Sequence, residues 1–511
     1  MKPRYSGSIT VFLSLILTLM VSLVCAGLES VRTAAARVQI LSAVDIGLYS
    51  LFAQYDRELL KKYDIFALDA SGADGLPDLS SVYDSFAAYM DPILLQNSQR
   101  LSVLQGGLGG YSLLTDDNGE VFFRQVVEYM QETILAQGIT MLQSHLEQKQ
   151  FDAAQAEEAG RSAEHNNTMT QYQNEVNSAA EKSNQERIRR EQEAAAAAGG
   201  SSGSDLGGLF SDADPGGLFV QEDTVPAETV ENPIPFIQQV RQRGLLGLVL
   251  PADHALSELS LEDEYFVSKR NRQTGFSMEN WCLRETSFMG DALFLQYLAS
   301  HLGHYRKPSA TGLNYQQEYI VGQTRSDKDN LEKVATRLLL IREGLNIACI
   351  TQDPVMMGEV SALASGIAAA FLVPPAVPAI EGALIVCWAF GESILDLREL
   401  FAGGKVPAVK TAANWQLSLA NLTGLLQRLD SDRRSDPGGL SYEDYLQILM
   451  LPKSRAKKAM GAMDMIEQSL RKMDGWENFH LDACVTAVTV YAVVSVNRGR
   501  VLTVERSFGY T

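Results

Sequence analysis

From Ile9 to Leu28 the chain reads ITVFLSLILTLMVSLVCAGL, with no charged residue. Twenty residues at about 1.5 Å per residue match a hydrocarbon core of roughly 30 Å, so the pattern predicts a transmembrane helix. Beyond it the periodicity changes. Val38, Leu41, Val44, Leu48, Leu51, Tyr55 and Leu59 recur at steps of three or four, which is one face of an amphipathic helix. No proline falls between Ser8 and Lys62. The expectation is a single helical rod over residues 8–62, about 80 Å long, with its first half in lipid and its second half entering a soluble body. A cleaved signal peptide is the competing reading, with Lys2 and Arg4 as its basic start and Val24-Cys25-Ala26 as a poor cleavage site. The apolar run is long for a signal, and the helical period continues through the supposed cut. Both facts favour an uncleaved anchor. Val24 stands where a lipoprotein site at Cys25 would need a small residue.

Further along, Tyr63 to Leu68 reads as a short strand closed by an Asp/Ser/Gly turn, and Ser80 to Leu101 as a helix. Gly106 to Gly110 (GGLGG) reads as a turn, since it lacks the Gly-Lys-Ser/Thr ending of a phosphate loop. Val121 to Ala198 is rich in Gln, Glu and Ala; its later part is either a solvated helix or disordered, and a Gly/Ser/Asp linker follows over Gly199 to Gly217. Residues 234–251 (IPFIQQVRQRGLLGLVLP) and Met289 to Tyr305 read as helices, and Asn314 to Gly322 as a strand. Asp329 to Cys349 is amphipathic. Ala362 to Phe390 is apolar but broken by Pro374, Pro375 and Pro378, which leaves a buried helix pair or a membrane hairpin open. The β-branched segments CVTAVTVYAVVSVN and RVLTVERSFGYT, joined by Asn497-Arg498-Gly499, read as an antiparallel hairpin.

The fold class expected is therefore α+β, mostly helical, with a long N-terminal transmembrane helix and a small antiparallel sheet. Four regions follow: anchor and emergent helix (1–62), first part of the body (63–149), low-complexity insertion (150–232), and main body (233–511).

Composition narrows the function classes. At 511 residues and 46% hydrophobic content the chain can build a sizeable core. A net charge of −19 argues against nucleic acid as a partner. The five cysteines, Cys25, Cys282, Cys349, Cys387 and Cys484, have neither metal-ligand spacing nor the even count of a disulfide framework; Cys349 and Cys387, in apolar stretches, read as buried thiols. Lys2 and Arg4 before the span lean towards a cytoplasmic N-terminus, although Arg32 and Arg37 follow it.

Candidate chemistry is sparse. His301 and His304 lie three apart on a predicted helix but lack a completing carboxylate or Cys. His145, His165, His254 and His480 have no patterned partner. The acidic pairs around Glu262-Asp263-Glu264 and Glu443-Asp444 read as exposed helix starts, and Ser441-Tyr442-Glu443-Asp444 has the form of a helix cap. No catalytic, cofactor-binding or metal-ligating residue is assigned, no cofactor is expected, and a non-enzymatic role is the expectation. Membrane lipid through residues 9–28 is the partner the pattern supports.

Several phrases resemble a family of uncharacterised membrane-anchored proteins of Gram-positive bacteria: GSITVFLSLILTLMVSLVCAGLESVRTAAAR, FAQYDRELLKKYDIFALD, GQTRSDKDNLEKVATRLLLIRE, WAFGESILDLRELFAGGKVPAVKTAANWQLSL and GLSYEDYLQILM. The resemblance covers the N-terminal quarter and most of 235–511. It implies association with Tad-type (Flp) pilus or secretion machinery, and the N-terminus is similar to TadE/TadG-like pseudopilins. A pilin-like role implies other pilus components as partners and an extracellular body on a single-pass anchor. The chain departs from pilins at Phe12: if Gly7 preceded a cleavage, Phe12 would occupy the position of the early glutamate, and the first acid here is Glu29. TadG-like proteins that stay anchored are the closer likeness.

Overall fold

The computed structural model describes residues 6–72, 75–96, 101–134, 169–197, 231–251, 255–262, 266–278, 288–371, 373–429, 435–496 and 500–510, with scattered positions between 148 and 161. In chain order the principal elements are α1 (Ser6–Phe52), α2 (Arg57–Tyr63), β1 (Leu68–Asp69), α3 (Leu79–Leu95), β2 (Ser102–Leu113), α4 (Asp116–Thr133), α5 (Met169–Ala197), α6 (Ile234–Arg241), α7 (Leu245–Val249) and α8 (Phe288–His301). They continue with α9 (Gln316–Gly322), α10 (Asp327–Gln352), α11 (Pro354–Ala370), α12 (Val377–Phe401), α13 (Tyr442–Met450), α14 (Arg455–Arg471), β3 (Cys484–Val496) and β4 (Arg500–Gly509). The protein is mostly helical with one small antiparallel sheet, as the pattern predicts.

Two compact units interleave along the chain. The first takes 1–135, 262–297 and 455–511; the second takes 136–261 and 298–454.

In the first unit β3 is the central strand. It pairs antiparallel with β1 and β2, and along Ala487–Val496 with β4. The β3–β4 hairpin matches the sequence reading; its connection, 497–499, lies outside the described residues. One sheet face, carrying Val488, Val490, Ala492 and Val494, packs on the upper half of α1 (Ile40, Val44, Leu48) and on α3 (Phe86, Met90). At Gly47 the helices meet so closely that an added Cβ would lie 2.9 Å from the Phe86 ring.

The rod is shorter than its periodicity predicts. α1 ends at Phe52, and Asp56 starts a separate helix by accepting the Leu59 amide at 2.8 Å while its own amide bonds Ala67. An Asp cap outcompetes helix continuation here because it satisfies an amide that a helix start leaves open. Of the predicted strand Tyr63–Leu68, only Leu68 pairs, with Asp69 beyond it; Tyr63 closes α2.

The glycine run is not a turn. Gly106 to Gly110 lie inside β2, opposite Thr489 to Ala492 of β3. Gly107 is needed because Tyr491 lies across it, 2.9 Å from where a Cβ would be, and the run carries one register shift, between Leu108 and Gly110. Glycine in a strand marks close approach as readily as a bend.

The second unit is built on α10 packed against α12, with α11 beside both. Residues 362–370 fall in α11 and 377–390 in α12, and the most apolar window of the 374–401 segment is 72% buried within the chain, which matches the buried-pair reading. α5 resolves the insertion's later part in favour of a helix. Its Val176 and Ala180 are buried, Tyr172 lies against Gly382 of α12, and its far end is solvated with Arg190–Glu186 and Arg189–Glu193 pairs. The linker 199–217 lies outside the described residues.

Two further expectations change. Residues 234–251 form two helices, α6 and α7, separated around Gly244. Asn314–Gly322 is not a strand: Gln316–Gly322 is helical, and every residue of it is buried. Its polar side chains face loops rather than water, Gln317 donating to the Leu302 carbonyl at 2.8 Å and Gln316 accepting from Gly303 at 3.0 Å. Polar residues that are buried destroy the period from which helix and strand are told apart.

Candidate functional site

The lower half of α1 is the most distinctive surface. Its most apolar window has none of its residues buried within the chain. The hydroxyls on it are satisfied inside the helix, Ser14 donating to Val11, Thr18 to Ser14 and Ser22 to Leu19 at 2.7–2.9 Å. A span that closes its own hydrogen bonds is what hydrocarbon requires. Length, apolarity and exposure together fit a single-pass membrane anchor.

Above that segment the body holds the helix through its last strand. Glu29 pairs with Arg500 at 3.1 Å, and Asp45 with Arg506 at 3.5 Å. Higher up, Phe508 packs edge-on against Tyr49 (4.8 Å) and Phe52 (5.2 Å), and the Tyr510 hydroxyl donates to the Phe52 carbonyl at 2.6 Å. The anchor helix therefore enters the core of the first unit along its own inner face.

The second unit contains a buried ionic cluster. Asp396 on α12 accepts from Nε and Nη2 of Arg342 on α10, both at 3.0 Å, and Lys410 lies 2.5 Å from its other oxygen. Lys410 also pairs with Glu392, one turn back on α12. Glu392 further accepts the Gln416 and Leu417 amides at 2.9 and 2.8 Å. Arg342 bonds the Pro407 and Ala408 carbonyls and the Tyr445 hydroxyl, and Asn346 bonds Asp396 at 3.2 Å. Burial alone would raise the Asp396 pKa, but Lys410 and Arg342 outweigh it and hold this carboxyl below its usual range. Two cations balance two carboxylates, all four buried. This cluster pins the segment after α12.

Nearby, Glu318 of α9 is fully buried and accepts the Tyr305 amide and the Tyr442 hydroxyl on one oxygen, each at 2.7 Å. Burial pushes its pKa up to about 7. Of the histidine pair, His301 ends α8, while His304 lies beyond the helix in a bridge with Lys307, so they do not share a helical face. His304 is buried 3.7 Å from Glu443. Ser441 and Asp444 form the expected capping box at the start of α13, and Asp444 also pairs with Lys149 at 2.7 Å.

In the first unit Glu467, His480 and Asp482 converge closely enough for a divalent cation. Arg270 already bonds both carboxylates, with Glu467 at 2.5 and 2.8 Å, and the Leu481 amide bonds Glu467 at 2.8 Å. His480 Nδ1 stands 3.7 Å from Glu467; burial, then Arg270 and Arg471, lower its pKa to about 4. The chain thus supplies its own cation, and a metal would have to displace Arg270. Cys387 and Cys484 are buried thiols, Cys349 is half-buried, and Cys25 is exposed on α1.

None of these clusters is legible as a motif. Their members come from segments tens to hundreds of residues apart. The one local signal is the i, i+4 pairing of polar residues inside apolar helices, Arg342/Asn346 and Glu392/Asp396. His145, His165, His254, Cys282 and most of Glu262-Asp263-Glu264 lie outside the described residues.

The model of the family described as "Family of unknown function (DUF5702)" matches residues 223–496. No curated protein and no solved structure matches the chain. The match begins after the anchor and ends with β3, so the strands that pair with β3 all lie outside it.

Proposed function

The chain belongs to the DUF5702 family of unknown function, and from its anchored build we propose that it is a non-enzymatic, single-pass envelope protein, an accessory or minor pilin-like part of Tad-type pilus or secretion machinery. In this reading the N-terminus is cytoplasmic and the body extracellular. The observation that carries it is α1: 47 residues in one helix, exposed and apolar below, seated in its own body above. The Glu29–Arg500 pair supports an anchored assistant over a filament subunit. The first acid of the helix is engaged by the chain's own last strand, and Phe12 stands where a subunit would carry its early carboxylate. The closed ionic clusters support a structural rather than a catalytic use of the buried charges.

Two measurements test this. Protease treatment of wall-stripped cells should release the C-terminus, and protection of the 199–217 linker would overturn the extracellular topology. After detergent extraction the protein should co-purify with pilus or secretion components; recovery without them would sink the machinery role and leave a surface binding module on a membrane stalk.

A further inference from the structure

We infer that the lower end of the first unit is a binding surface for anionic phospholipid headgroups, with Arg32, Arg37 and Arg500 as the groups that hold the phosphates. The inference rests on the membrane-anchored reading and deepens it by naming the lipid chemistry that the body meets. Two ion pairs set the height of that surface. Glu29, directly after the uncharged run, pairs with Arg500, and Asp45 pairs with Arg506, so β4 climbs beside α1 in the same direction. From Glu29 to Asp45 the helix rises about 24 Å, and from Arg500 to Arg506 the strand rises about 20 Å, which keeps the two nearly parallel. Arg500 therefore stands where hydrocarbon gives way to headgroups.

The sheet places apolar side chains at the same depth. Leu104 is the extra residue of a β-bulge between Val103, opposite Val494, and Gln105, opposite Val493. Val494 in turn faces Leu502 of β4. Leu104 is thus about 7 Å above Arg500 along the strands, within the depth of a headgroup layer. It is 60% exposed, left outside the ladder by its bulge, and Val501 is 50% exposed beside Arg500.

The charges around this end identify the lipid. Arg32 and Arg37 stand about 140° apart around α1, and Ala36, Ile40 and Val44 lie in the arc between them, so one arginine flanks each side of the face that the body covers. Both are exposed, and side chains on a helix lean towards its N-terminal end, here the bilayer. Glu29 and Asp45 are engaged by Arg500 and Arg506, and Arg500 also donates to the Thr33 hydroxyl at 3.4 Å. Among the described residues Arg32 and Arg37 are therefore two positive charges with no carboxylate against them, in a chain whose net charge is −19. Water would suit these arginines but not the valine and leucine beside them; headgroups above acyl chains suit both. Guanidinium binds phosphate in bidentate fashion, and the uncompensated charge favours headgroups that are net negative.

The test uses the full-length protein in phosphatidylcholine vesicles, with Leu104→Trp as a fluorescent reporter read against the parent chain. Brominated phosphatidylglycerol and brominated phosphatidylcholine are titrated in turn as contact quenchers. Half-maximal quenching should come at a mole fraction about fivefold lower for phosphatidylglycerol, the factor that one arginine at a membrane surface contributes. Arg32→Gln together with Arg37→Gln should bring the two curves together and leave the thermal midpoint of the body unchanged, since both sites are exposed. Equal curves without those changes, a difference that persists with them, or no quenching by either lipid would each overturn the inference. Inorganic phosphate added at matched ionic strength should leave the difference in place; its loss would assign the arginines to free phosphate and overturn the lipid site. An alkaline wash keeps the two readings apart: protein lost from the vesicle pellet refutes the anchor, whereas protein retained without selective quenching refutes only the headgroup site.

Discussion

Glu29, the first acidic residue of the chain, stands 3.1 Å from Arg500, the first residue of the last strand. The pair joins the top of the apolar segment to a strand more than four hundred residues later, so the anchor leads directly into the sheet.

That pair is half exposed on both sides and screened by solvent. Glu29→Ala should therefore cost no more than about 1 kcal/mol. Leu48→Ala, in the buried face of the same helix, should cost about 2–5 kcal/mol. Thermal unfolding in detergent measures both; a larger loss at Glu29 than at Leu48 would show that charge rather than packing seats the helix.

The Arg342–Asp396–Lys410–Glu392 cluster is balanced, so removing one member should be costly. Lys410→Met should destabilise by about 3–5 kcal/mol because Glu392 is left buried and unpaired. Adding Glu392→Gln should recover much of that loss, since Arg342 and Asp396 still match. Denaturant titration of the single and double variants checks this, and additive losses would contradict it.

Glu318 makes stability depend on pH. Burial raises its folded pKa to about 7, above its ordinary carboxyl range, so the folded state binds the proton more tightly than the unfolded chain. Its contribution is complete below the unfolded value and is lost as pH rises through about 7. His480 acts oppositely: its folded pKa is depressed to about 4, so its contribution is complete above the unfolded value and is lost as pH falls towards 4. Glu318→Gln should flatten the decline on the alkaline side and leave the acid side intact, as followed by thermal midpoints across pH.

Gly75 has a φ of 76° and packs against the His480 ring. Gly75→Ala meets both the left-handed backbone penalty and the ring, and should cost about 1–3 kcal/mol. Gly244→Ala, with open space and negative φ, should be close to neutral in the same assay.

What the sequence determined by itself is what depends on neighbours along the chain. The uncharged run from Ile9 to Leu28, the β-branched hairpin and the Ser441–Asp444 cap each contain their own physical reason within a few turns or strands. Tertiary structure decided the rest. Gln316 to Gly322 became a helix because its polar side chains are spent on distant loop backbone, and GGLGG became a strand because Tyr491 needs the space over Gly107. Asp396 is matched by the charges of Arg342 and Lys410, which no local spacing brings near it. The outcome at each of these sites is fixed by desolvation and close contact between remote segments, and those forces leave no local period to read.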